Sequence, residues 1–370
     1  MAVSGILRRW APLAFAATAL AVFSPSAFAV DPGVADYRFS QPYTHGNLTI
    51  YMVHGKPGLT GKTPITLQEA LQQGLVRVIE TENVNLLEVE NLSGEAVFIQ
   101  SGDIVKGGKQ DRVLSVDLIL PPHSGKVSIA SFCVEQGRWS PRDKEDAKTF
   151  SRSADRLPSR DIKVATNAPL MASRDSAPPT PRGDGRRMPQ QRGDATVGSA
   201  QGKVWRGVAE TQEKLRRNVG TTVAAPQSAS SLQLSMENEK LKQATETYVA
   251  ALKDAIDKES DAIGFVFAIN GQINSADVYG APALFRKMWP KLLQASVVEA
   301  IAERKEGTPS DVPTIDAVRR FMTDAESGKR ADRQVGDGVT IQTRDADKAQ
   351  FLESRAKTGG GYVHRSYVAK

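Results

Sequence analysis

The spacing of the apolar residues changes part-way along this chain of 370 residues. In the first part, apolar and polar residues alternate, most clearly over residues 112–120, as they do in a half-buried strand. In the second part, apolar residues such as Leu241 and Leu252 recur at a spacing of about 3.6, which is typical of helices. We therefore predict an α+β fold, with a β-rich part over residues 30–167 and a helical part over residues 201–370.

The helical part is predicted to contain one β-hairpin, over residues 263–279. Asn270-Gly271 lies between two apolar runs there, and this dipeptide supplies both positive-φ residues of a tight hairpin turn. Thr314 is the expected N-cap of a later helix. The remaining elements expected in this part are helices at 282–304 and 315–326 and a last strand at 362–368.

Residues 1–29 have the three parts of a secretory signal peptide. Arg8 and Arg9 precede an uncharged, largely apolar run over residues 11–23, and Ala27-Phe28-Ala29 is a small-x-small cleavage site. We expect cleavage after Ala29 and a periplasmic or secreted protein. A membrane-spanning helix needs about 18 apolar residues in a row, and no later run is that long. We therefore expect no membrane span in the mature chain.

Residues 168–200 are predicted to be a disordered basic insertion between the two parts. They hold five Pro and four Gly and few residues that could be buried. Because no aromatic residue lies between Phe150 and Trp205, the basic segment lacks the organised aromatic and basic face of a nucleic-acid reader. We expect no nucleic-acid partner; contact with an anionic envelope surface is a hypothesis for this segment.

Cysteine and histidine are scarce. Cys133 is the single cysteine, which excludes a disulfide within the chain and argues against a Cys/His zinc site, and we expect no metal and no cofactor. A nucleophilic cysteine needs a nearby histidine. The four histidines are scattered along the sequence, at His45, His54, His123 and His364. The favoured interpretation of Cys133 is therefore a buried structural thiol.

The Gly-rich stretch 102–112 resembles a phosphate-binding loop but does not match one. Gly108-Lys109 is followed by Gln110, where such a loop requires Ser or Thr. The stretch leads instead into the alternating strand, and the alternation places Gln110 and Arg112 on the same face as the apolar residues of that strand.

The next apolar strand is predicted to pair with this one as a hairpin. The register that joins their two apolar faces places Leu118 opposite Val127. The same register places Arg112 opposite Cys133 and Gln110 opposite Glu135. Because charged groups on a core-facing side must find partners, we expect a polar cluster at this end of the hairpin.

The expected cluster consists of Gln110, Arg112, Glu135, Arg138 and Trp139, with Arg112 close enough to Glu135 to pair. One interpretation is a buried ion pair that closes the end of the sheet. The other is a ligand site. There the two arginines would bind an anion, Gln110 and Glu135 would fix its orientation, and Trp139 would form an apolar wall.

Four blocks of residues follow one another along the chain: 108–112, 133–139, 201–205, and 264–279 together with 289–293. In this order they resemble the ADP-ribosylglycohydrolase (ARG) and rhodanese-phosphatase-superfamily-associated protein domain. The family name refers to neighbouring proteins, so the resemblance implies a link to nucleotide or ADP-ribose processing by association only. The leader and the basic insertion are features that a compact family member does not need.

These observations favour an exported, non-catalytic module that binds either a partner or an anionic small molecule, for example a nucleotide-like one. A hydrolase that uses Glu135 as its acid or base is an alternative. An envelope structural protein that makes contact through its insertion is another.

Overall fold

Helices occupy the middle of the chain, and strands lie on both sides of them. The structure, a computed structural model, describes residues 1, 33–142, 145–172, 193–305, 307, 311–335, 339–357 and 361–370. The strands are β1 (Arg38–Phe39), β2 (Tyr43–His45), β3 (Leu48–His54), β4 (Ile65–Thr66), β5 (Val76–Glu80), β6 (Leu86–Asn91), β7 (Val97–Ile99), β8 (Asp103–Gly107), β9 (Arg112–Leu114), β10 (Leu118–Leu120), β11 (Gly125–Cys133), β12 (Phe150–Arg156), β13 (Ala262–Ile269), β14 (Gln272–Tyr279), β15 (Lys329–Val335), β16 (Val339–Asp345), β17 (Ala349–Ala356) and β18 (Tyr362–Ala369). The α-helices are α1 (Leu67–Gln72), α2 (Arg160–Met171), α3 (Gly193–Val219), α4 (Leu232–Met236), α5 (Glu239–Leu252), α6 (Ala255–Lys258), α7 (Pro282–Ala302) and α8 (Ile315–Glu326).

A nine-stranded antiparallel sheet joins the two ends of the chain. Its strands follow the order β1-β3-β13-β14-β18-β17-β16-β15, and β2 also pairs with β3. The β13–β14 hairpin at its centre confirms the predicted turn, with φ of 50° at Asn270 and 74° at Gly271. Three strands of the sheet therefore come from the β-rich part, and six come from the part that was expected to be mainly helical.

Each face of this sheet is covered by helices. Phe265 and Phe267 lie in the core on the side of the sheet that α7 covers. Helices α3 and α5 pack against α7. Val266, between them in sequence, faces the opposite core, where Val318 and Met322 of α8 cover the sheet. The alternation along β13 thus builds two cores from one strand. The helix predicted at 315–326 is confirmed, and Thr314 caps it by accepting a hydrogen bond from the backbone amide of Ala317.

A second, six-stranded sheet curls toward a closed barrel. Its order is β12-β8-β9-β11-β6-β5. The first and last strands meet through a bridge between Ile79 and Thr149 and a 2.9 Å hydrogen bond from the Glu80 amide to the Lys148 carbonyl. Closure of this kind satisfies edge groups that an open sheet would leave unpaired. The strands β10, β7 and β4 form a separate three-stranded sheet, in the order β10-β7-β4.

The predicted hairpin register is correct only at one end. Cys133 pairs with Arg112, as expected. The pairing of Leu118 with Val127 is wrong, because Leu118 pairs with Ile99 of β7, and Val127 pairs with Val89 of β6. The chain leaves the six-stranded sheet after β9, so one predicted strand is divided between two sheets.

The α+β class is confirmed, but two boundaries need correction. The C-terminal part is not mainly helical, because β15, β16 and β17 follow α8. The predicted insertion 168–200 is also too wide, since α2 runs to Met171 and α3 begins at Gly193. Residues 2–32, which hold nearly all of the predicted signal peptide, and residues 173–192 lie outside the described residues. Among the described helices, none is long and apolar enough to cross a membrane.

Candidate functional site

One end of the barrel holds a buried arginine. The side chain of Arg112, on β9, is 0% exposed, and its NH2 group lies 3.4 Å from Oε2 of Glu80 on β5. Its NH1 group donates a 3.0 Å hydrogen bond to the carbonyl oxygen of Gln110. Arg112 therefore spans the barrel interior and has no surface through which it could meet a ligand.

The predicted pairing of Arg112 with Glu135 is wrong. Glu135 binds Arg138 through a 2.6 Å contact between Oε1 and Nε, and the partner of Arg112 is Glu80. Glu135 nevertheless belongs to the predicted cluster, because Gln110 Nε2 donates a 2.9 Å hydrogen bond to its carbonyl oxygen. The chain turns after β11, and this turn moves the Glu135 side chain off the face that strand parity assigned to it.

Five charged side chains form what we call the arginine–carboxylate cluster: Asp111, Glu135, Arg138, Arg142 and Glu145. Arg142 is its centre, with NH2 2.6 Å from Asp111 Oδ1 and 3.0 Å from Glu145 Oε1. Its NH1 group lies 3.4 Å from Glu135 Oε1. The side chains of Asp111 and Glu135 are fully buried, so their charges depend on these arginines.

The cluster favours the charged forms of Glu135 and Arg142. Burial alone would raise the pKa of Glu135, but hydrogen bonds from Arg138, from Ser228 and from the Asp111 amide outweigh burial and lower it. Burial would likewise lower the pKa of Arg142, and its hydrogen bonds to Asp111 and Glu145 raise it instead. Glu135 is thus a carboxylate at neutral pH.

A groove of about 740 Å³ opens beside the cluster at the same end of the barrel. Charged side chains and an apolar wall share its lining. The lining residues used below are Lys106, Arg142, Glu145, Phe150, Ala225 and Glu237. Lys106 on β8 is paired across the groove with Glu237 just beyond α4, with Nζ 2.7 Å from Oε1. Barrel mouths are common positions for small-molecule sites, and this volume suits one.

The sequence model of the ARG and Rhodanese-Phosphatase-superfamily-associated Protein domain matches residues 36–368. This chain belongs to that family. No curated protein and no solved structure shows significant similarity to the chain. The family match covers strands of all three sheets and the groove, so the groove is part of the ARG and Rhodanese-Phosphatase-superfamily-associated domain itself.

The predicted site residues of this family domain divide by burial. Gln110, Arg112 and Glu135 lie inside the barrel end, whereas Trp139 is 50% exposed. Lys109 lies over the Trp139 ring at 5.7 Å from its centroid. Trp139 is not among the residues that line the groove, so it does not form the apolar wall that was expected; Phe150 does.

Cys133 has the environment of a structural thiol. It is buried, and its Sγ donates to Oε1 of Gln110 at 2.9 Å. Burial raises the pKa of the thiol to about 11, although the charge of Arg112 acts in the opposite direction. A thiol with this pKa is not a nucleophile at neutral pH.

A second buried network of the family domain, which the sequence analysis missed, surrounds His364. Its Nδ1 lies 2.8 Å from Asp117 and its Nε2 lies 3.0 Å from Asp277, which Arg156 also binds at 3.2 Å. The adjoining cavity of about 20 Å³ has room for one water molecule and no larger ligand. This network joins the nine-stranded sheet to β12, and its role is structural.

Neither Arg142 nor His364 was singled out from the sequence. Asp111 has the opposite strand parity from Arg112, which marks it as a carboxylate on the other face, but its partner lies 31 positions away. Asp277 interrupts an otherwise apolar strand end, and that interruption was the available signal for the His364 network.

Proposed function

We propose that this chain is an exported, non-catalytic module that binds an anionic small molecule in the groove at the barrel end. The observation that carries the proposal is the groove of about 740 Å³ with both Lys106 and Arg142 in its lining. Lysine and arginine are the residues that bind carboxylates and phosphates most strongly. Phe150 and Ala225 supply apolar surface for the rest of the ligand.

The proposed site differs from the one expected from the sequence. Arg112 is too deeply buried to touch a ligand, so its role passes to Arg142. Export rests on the signal-peptide pattern of residues 1–29 and places the module in the periplasm or outside the cell.

The environment of Glu135 favours binding over catalysis. Its Oε1 atom accepts from Arg138 at 2.6 Å, and its Oε2 atom accepts from the Asp111 amide at 2.9 Å. A general acid must hold a proton at working pH, and an acid or a base must reach the substrate. Glu135 is buried with a lowered pKa, so it meets neither condition.

Calorimetric titration with ADP, ADP-ribose and a sugar phosphate tests the proposal. Nucleotides come first because the family name links the domain to nucleotide-processing neighbours. The variant Ala225→Trp fills the groove, and Ala130→Trp places the same side chain on the exposed outer face of β11 as a control.

We expect at least one probe to bind the wild type and Ala130→Trp, and to be lost in Ala225→Trp. Binding that survives in Ala225→Trp, or no binding of any anionic probe, contradicts the proposal. Turnover of a bound probe contradicts its non-catalytic part.

A further inference from the structure

The arginine–carboxylate cluster contains one more carboxylate than it contains arginines. Asp111 and Glu135, both 0% exposed, balance the charges of Arg138 and Arg142. Glu145 is the fifth member and is 21% exposed. Removing its charge leaves two cations facing two buried anions, which is the balanced state for a buried cluster.

Glu145 occupies the groove side of Arg142. NH1 and NH2 of Arg142 donate to the two carboxylate oxygens of Asp111 at 2.9 and 2.6 Å. Nε and NH2 donate to the oxygens of Glu145 at 3.1 and 3.0 Å. The guanidinium thus holds one carboxylate on the buried side and one on the side of the groove, and both contacts have the forked geometry that arginine uses for oxyanions.

Lys106, the other basic residue of the groove, differs from Arg142 in the number of its carboxylate partners. It has Glu237 as its carboxylate partner, at 2.7 and 2.8 Å from Nζ to the two oxygens. A ligand that displaced Glu237 would separate a one-to-one pair. A ligand that displaces Glu145 leaves Arg142 still bound to Asp111, so Arg142 is the cation that can change partners at lower cost.

We propose that Glu145 is an internal mimic of the ligand, and that a carboxylate or phosphate group of the ligand replaces it on Nε and NH2 of Arg142. This inference rests on the proposed function and names the group that the groove recognises. The displaced Glu145 side chain, already partly exposed, turns to solvent. Ligand binding then exchanges one oxyanion for another, and Arg142 keeps two oxyanion partners throughout.

Titration of ADP and of inorganic phosphate into the variant Glu145→Gln tests the inference. Glutamine keeps the size of the side chain and removes its charge, so the competitor on Arg142 is weakened. We expect ADP and phosphate to bind about tenfold more tightly than to the wild type, since one charge-assisted contact no longer has to be broken. In the double variant Glu145→Gln with Arg142→Lys this gain should be cancelled, because lysine lacks the planar, forked donor group of arginine.

The matched control is Glu82→Gln. Glu82 lies at the same end of the barrel, paired with Lys109 at 3.0 Å and outside the groove lining, so this variant removes the same charge without touching Arg142. An equal gain in Glu82→Gln and Glu145→Gln, or no gain in Glu145→Gln, overturns the inference. If ADP binding is lost in Ala225→Trp but unchanged in Glu145→Gln, the inference fails and the proposed function stands. If ADP binding survives in Ala225→Trp, both fail.

Discussion

His364 and Asp277 lie 3.0 Å apart on the neighbouring strands β18 and β14, and both side chains are buried. The other ring nitrogen of His364 contacts Asp117, so both nitrogens face carboxylates and the ring carries both protons. Burial alone would lower the pKa of His364, but Asp117 and Asp277 raise it to about 9. A charged histidine at neutral pH therefore holds the two carboxylates together.

The stability of the protein should depend on pH through this network. A pKa raised from 6.5 to about 9 gives His364 a contribution that is fully present below pH 6.5 and is lost as pH rises through 9. The pKa of Asp277 is lowered despite its burial, mainly by the charge of Arg156, so its contribution is lost in acid. We expect unfolding free energy to fall by about 3 kcal/mol between pH 6.5 and 9.5. Urea titrations across this range measure it.

The variant His364→Gln provides the control for this pH dependence. It should be less stable than the wild type at pH 6 and should lose most of the slope between pH 6.5 and 9.5. An unchanged slope in His364→Gln would assign the pH dependence to other groups.

The Arg112–Glu80 pair should be essential for stability. Arg112→Met leaves Glu80 buried without its cation, and we expect a loss of about 3–5 kcal/mol in unfolding free energy. The double variant Arg112→Met with Glu80→Leu should recover much of it. Arg77→Met is the matched control, because Arg77 pairs with Glu90 on the exposed side of the same barrel and should cost less than about 1 kcal/mol. Equal losses for Arg112→Met and Arg77→Met would contradict a buried pair.

The boundaries of the insertion can be tested by replacement. Exchanging residues 173–192 for a Gly/Ser segment of the same length should change the melting temperature by less than about 3 °C, because their composition offers little apolar area to bury. Extending the exchange to residues 168–200 should lower it clearly, since Ala200 is buried in the core and Leu170 packs against the barrel core. Calorimetry of both chains compares them.

Export makes a prediction of its own. The mature protein should begin at Val30 and be recovered from the soluble periplasmic fraction or the medium. N-terminal sequencing of the purified protein provides the measurement. A mature chain that still began at Met1 would contradict cleavage after Ala29.

Local signals predicted local structure well. The Asn270-Gly271 turn and the Thr314 cap each depend on a few neighbouring residues, and both are confirmed. Alternation over 112–120 correctly assigned a face but could not assign a partner, because several strands offer matching apolar faces. Leu118 therefore pairs with β7 instead of β11.

Charged clusters and edge strands were harder to predict for a different reason. Arg142 meets Asp111, and His364 meets Asp117, only after distant segments have come together. The strand Lys329–Val335 lies at the edge of its sheet, and four of its seven residues are charged, so its sequence is similar to that of a solvated loop. Only the three-dimensional arrangement identifies it.

The position of β3 also determines when the protein can fold. Leu48 pairs with Ile269, so the β3–β13 pair of the large sheet joins residues that lie 221 positions apart in the sequence. Contacts between such distant residues form slowly, because a long loop must close before they stabilise anything. A chain of this topology that crosses a membrane with its N-terminus first cannot complete the large sheet during the crossing. If the predicted export proceeds in that order, β3 stays unpaired and prone to aggregation until the β13–β14 hairpin has also crossed.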